Sequence, residues 1–80
     1  MKEDLARLVA LTAFRSSADL GNLVPILKQH CSDEEYRDFL DAITHAMTTI
    51  DLNVTKKAKA LVPGIEAEWD AKVAAYGRVF

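Results

Sequence analysis

Apolar residues recur every three or four positions almost from one end of this 80-residue chain to the other, and only three glycines and two prolines interrupt them. A 3.6-residue period lines up side chains on one face of an α-helix; a strand would need alternation, which is nearly absent. The chain is therefore expected to be all-helical.

The punctuation suggests where helices begin and end. Lys2 to about Arg15 reads as a first helix, with Glu3 and Asp4 at the positive end of its dipole and Arg15 at the negative end. On this helix Leu5, Leu8, Val9 and Thr12 share one face. Leu11 and Phe14 lie well away from it, beside Arg7. A helix apolar on more than one face is central, or it has a second partner. Ser16 and Ser17 suit the N-cap of a second helix, about 18–30, carrying Leu20, Val24, Leu27 and Cys31. Pro25 is tolerated only in a first turn, so the regular part of that helix is expected to begin near Asn22. "SDEEYRDFLDAITHAMTTID" opens with Ser32 and, three residues later, Glu35, the signature of a capping box. Tyr36, Leu40, Ile43, Met47 and Ile50 follow at helical spacing, giving a third helix over about 33–51.

Val54, Ala58, Leu61, Ile65, Trp69, Val73, Tyr76 and Phe80 then keep helical step through Pro63-Gly64. A proline inside a helix removes a hydrogen bond and costs roughly 3 kcal/mol. The reading is two segments, about 54–61 and 64–77, with a single kinked helix as the alternative. A favourable Glu68–Lys72 pair is expected in either case. The expected architecture is one domain over 1–80: a small compact four-helix bundle whose last helix is kinked or broken at Pro63-Gly64. "LVP" occurs twice, at 23–25 and 61–63, but the flanking residues do not align and no repeat is read.

Composition narrows the function class. Half of the residues are hydrophobic and 28% are charged, which is globular rather than disordered composition. The net charge of −2 comes from interspersed acids and bases, so no global field favours nucleic acid or an anionic membrane. Cys31 is the only cysteine, which rules out an intrachain disulfide of the kind small secreted domains use. "MKEDLARLVAL" lacks a continuous apolar signal-peptide core, and no apolar run approaches 18 residues. A cytoplasmic location with no membrane association is expected. Asn53-Val54-Thr55 matches a glycosylation acceptor, a match that carries nothing without secretion.

Each chemical motif has a plain structural alternative. His30, Cys31, Asp41 and His45 are zinc-ligand types, but they lack the paired spacing of metal sites, so no metal or other cofactor is expected. Cys31 beside a histidine has the parts of a thiol nucleophile. The acids at Asp33, Glu34 and Glu35 would raise its pKa, and no catalytic constellation surrounds it. Lys56, Lys57 and Lys59 form the only basic cluster, better read as a solvated helix face than as a phosphate grip. Asp33, Glu34, Glu35, Asp38 and Asp41 make an acidic face that could dock a basic protein. Finally, the second face of the first helix and the apolar end "YGRVF" give more apolar surface than four short helices readily hide.

The expected function is therefore non-catalytic: a protein–protein interaction module that self-associates, most simply as a homodimer. The candidate interface residues are Leu11, Phe14, Val79 and Phe80, with Asp38 and Asp41 as the acidic docking face. The alternatives are a metal- or small-ligand-binding protein using His30, Cys31, Asp41 and His45, and a nucleic-acid-associated regulator using Lys56, Lys57 and Lys59.

Overall fold

A computed structural model describes residues 1–79. The chain is 85% helical, and no strand occurs among the described residues. It forms three helical rods rather than four helices. The first is α1, Glu3–His30. The second runs without interruption through α2 (Asp33–Thr49), a π-helical segment (Ile50–Thr55) and α3 (Lys56–Lys59). After a turn over residues 60–64 comes α4, Ile65–Tyr76.

The expected break near residues 16–17 does not exist, and neither serine caps a helix. Ser16 donates its hydroxyl hydrogen to the Thr12 carbonyl at 2.8 Å, the back-bond of a serine inside a helix. Ser17 is buried. It belongs to a row of small buried residues on α1, with Ala6, Ala10 and Ala13. Their spacings of four, three and four keep them on one face, where they let the second rod approach closely. Gly21 continues the row: a Cβ there would stand 3.1 Å from Cε of Met47 on α2. Pro25 lies inside α1, not in a first turn. Leu20, Val24 and Leu27 around it are half-buried.

The second rod starts as the sequence predicts. The Ser32 hydroxyl accepts from the Glu35 N–H at 3.2 Å, and the Glu35 carboxylate accepts from the Ser32 N–H at 3.0 Å. Asn53 neither ends this helix nor caps the next; it lies within the π segment. There the Lys56 N–H reaches back five residues to the Asp51 carbonyl, so the rod takes in one residue more than an α-helix would. The surplus moves every later side chain around the rod by about 100°. Ile43 faces α1, and so do Thr55, Ala58 and Val62, whereas Val54 and Leu61 from the sequence-predicted stripe are exposed.

The last helix is broken at Pro63-Gly64. Gly64 adopts φ = 81°, a left-handed conformation that turns the chain just before Ile65. Gly77, at φ = 74°, ends α4, and its N–H bonds to the Val73 carbonyl. α4 returns against the N-terminal half of α1. Ala6, Ala10, Ala58, Val62, Ile65 and Trp69 form the core, with Val9 and Val79 packed on it. Glu68 accepts from the Arg7 guanidinium at 3.3 Å and makes no pair with Lys72. Beside the small alanines, the large side chains of this core are Val62, Ile65 and Trp69, so the core is thin.

The result is a slab of 45 × 27 × 14 Å with a radius of gyration of 15.0 Å. A compact domain of this length has a radius near 12 Å. The all-helical fold is as expected, with three rods in place of four helices and a shape more extended than a compact bundle.

Candidate binding face

The slab has two unlike sides. On α1, the buried row of Ala6, Ala10, Ala13 and Ser17 marks the seam with the second rod. At 100° per residue, Arg7 and Phe14 lie on one flank of that seam and Leu5, Thr12 and Ser16 on the other, with Leu8 beyond them towards the side of α1 away from the second rod. α4 covers the first flank. There the Phe14 ring meets Trp69 edge-on, with centroids 5.2 Å apart, and the Lys59 ammonium sits 4.8 Å from the Trp69 ring centroid. Lys59 also pairs with Glu66 at 2.8 Å.

None of the described residues covers the second flank. An apolar groove of about 460 Å³ runs there between Leu8, Val9, Thr12, Ala13 and Ser16 of α1 and Ile50 and Val54 of the second rod. It continues into a hollow of about 210 Å³ beside Met1, Asn53, Lys57 and Leu61. Leu8 is 59% exposed; it stands about 170° around α1 from the seam, opposite the fully buried Ala6 and Ala10. The same flank extends along α1 to Leu23 and Ile26, both exposed. On α2, Phe39 lies within about 20° of Ile50 around the helix axis, which places this exposed ring on the groove side.

The residues singled out from sequence fall elsewhere. Leu11 is half-buried. Phe14 is engaged by Trp69, and Val79 packs on the core, so both serve contacts within the chain. Phe80 lies outside the described residues. Asp38 and Asp41 are exposed on α2. His30 and His45 are exposed and Cys31 is half-buried. Among the described residues no three His, Cys, Asp or Glu side chains come together as a metal site requires, so His30, Cys31, Asp41 and His45 are not assembled. The basic cluster is divided: Lys59 is held by Glu66 and Trp69, while Lys56 and Lys57 are exposed.

One carboxylate is tuned. The Ser32 backbone N–H, and then its hydroxyl, hold the Glu35 carboxyl below its ordinary range by favouring the charged form. This belongs to the helix cap and lies far along the chain from the groove. Among the described residues, no helix is long and apolar enough to cross a membrane. No family model, curated protein or solved structure matches the chain.

Proposed function

We propose that this protein is a small protein–protein interaction module, without catalytic activity, that self-associates through the uncovered side of the slab. The observation that carries this reading is the amount of surface left in water. The accessible area is 5867 Å². A folded monomer of 8.9 kDa exposes about 4,800 Å². The excess, on the order of 1,000 Å², is slightly more than the roughly 800 Å² each partner contributes to a standard interface. Its most coherent part is the groove side, where Leu5, Leu8, Val54 and Leu61 are exposed together. The interface thus moves from the Leu11 and Phe14 flank expected from sequence to the opposite flank of the same helix. The lone Cys31, with no disulfide to support so thin a core, suits a reducing compartment such as the cytoplasm.

Light scattering on a sizing column over a hundredfold concentration range tests the reading, on wild type and on Leu8→Glu. Because Leu8 is already exposed, a glutamate there leaves the core untouched. The expected result is a wild-type dimer and a folded, monomeric variant. A wild type that is monomeric throughout the range would remove the proposal.

A further inference from the structure

We infer that the uncovered side is closed by a second copy laid antiparallel across it, α1 on α1 and second rod on second rod, about a two-fold axis crossing the slab at the level of Arg15–Ser16. This rests on the self-association proposed above and specifies its geometry.

The groove flank of α1 reads the same from both ends. Leu5 and Leu8 stand near one end and Leu23 and Ile26 near the other, with Thr12, Ser16 and Asp19 between them. Reversal about a point between Arg15 and Ser16 places Leu8 on Leu23 of the second copy and Leu5 on Ile26. The same reversal places Thr12, a hydroxyl donor, opposite Asp19, an acceptor. The polar middle therefore meets a polar middle, and each apolar end meets an apolar end. An isologous contact requires this self-complementarity.

The second rod fits the same axis. Gly21 lies against Met47, and Ala10 shares the core with Ala58. Midway between these two levels, Arg15–Ser16 on α1 is level with Leu52–Asn53 on the second rod. Ile50 and Val54 straddle that level and line the groove. In the reversed pair, Val54 of one copy falls within one residue of Ile50 of the other, and an apolar centre forms beside the polar middle of α1.

A second two-fold arrangement of the same faces has its axis along the helices and lays α1 of one copy over the second rod of the other. It would press Thr12 and Ser16 onto Ile50 and Val54, leaving polar groups against apolar ones. The pattern selects the first arrangement.

Oxidative cross-linking in a Cys31→Ser background tests it, with the sizing experiment run on the same proteins. Ser16→Cys is expected to give a covalent dimer by itself, since residue 16 sits at the axis. Leu8→Cys and Leu23→Cys are each expected to stay uncross-linked alone, because two copies of residue 8 are about 22 Å apart along the paired helices. Mixed together, they are expected to yield the heterodimer. A non-covalent dimer in which Ser16→Cys links to Asn53→Cys protein and not to itself would overturn this geometry and leave self-association standing. A monomer at every concentration overturns both.

Discussion

The Phe14 ring meets Trp69 edge-on, with centroids 5.2 Å apart and ring planes at 62°. This contact joins α4 to the middle of α1, and Trp69 is the only tryptophan in the chain. Its fluorescence therefore reports whether α4 is docked. Truncating a fully buried phenylalanine costs about 3–5 kcal/mol. Phe14 retains 37% exposure, so Phe14→Ala is expected to cost nearer 2 kcal/mol. Urea unfolding followed at Trp69 measures this. A red-shifted native emission in the variant would show that the indole has gained water. An unchanged emission and midpoint would mean that the ring pair does not hold α4.

Two glycines are expected to respond to alanine with opposite sign. Gly64 needs φ = 81°, where a Cβ costs roughly 1–2 kcal/mol, so Gly64→Ala is expected to destabilise by about that much. Gly21 has no such need. Its added Cβ would meet Cε of Met47 at 3.1 Å, and that atom is the end of a flexible side chain that can swing aside. Alanine gains about 1 kcal/mol of helix propensity over glycine. Gly21→Ala is therefore expected to raise the thermal midpoint. A lowered midpoint would mean that Met47 is fixed and the rods cannot part.

Thr55 is buried in the π segment, and its hydroxyl oxygen has no hydrogen-bond partner among the described residues. A buried, unpaired hydroxyl costs roughly 1–3 kcal/mol. Valine has nearly the same shape and the same β-branching but needs no partner. Thr55→Val is expected to stabilise the chain by about 1 kcal/mol, read from chemical denaturation. Loss of stability would show that the hydroxyl does bond in solution.

The capping box makes a prediction about acid. Because its charged form accepts the Ser32 N–H, the Glu35 carboxyl has a folded-state pKa below its ordinary value. A depressed folded pKa contributes stability that is present above the unfolded value and disappears as pH falls through the folded one. Glutamine can keep the hydrogen bond but not the charge. Wild type is expected to exceed Glu35→Gln in stability at neutral pH, with the gap closing below the carboxylate range. Thermal melts of both proteins across pH 2–7 give the comparison. Ser32→Ala removes the hydroxyl half of the cap and is expected to cost about 1 kcal/mol at neutral pH.

Much of this architecture is legible in residue order, and the places where reading fails share a cause. Helical period, the Ser32–Glu35 cap and the break at Pro63-Gly64 are local matters, decided by a few neighbours in sequence. The candidate face was not legible, because it depends on which side of α1 meets the second rod. Weight on large apolar residues points to Leu5, Leu8 and Val9 as the inward face. The rods instead meet through Ala6, Ala10, Ala13 and Ser17, whose small side chains permit a close approach. The recurrence of small residues through Ser17 and Gly21 was the available signal, and it also argued for one long helix across Ser16-Ser17. Arg7 and Phe14 were visible as a second flank, but only the return of α4 shows that this flank is the one the chain covers itself.

The surplus residue in Ile50–Thr55 has a consequence beyond the local helix. One rotation of the rod carries Thr55 inward and Val54 outward, so a buried alcohol and a bared hydrocarbon are two results of a single step. Shortening the segment by one residue would undo both. It would also swing Ala58 and Val62 off the α1 seam and detach the turn that aims α4. The length of this one segment thereby ties the amount of hydrocarbon bared at the surface to the cohesion of the single chain, and neither can be altered by insertion or deletion there without disturbing the other.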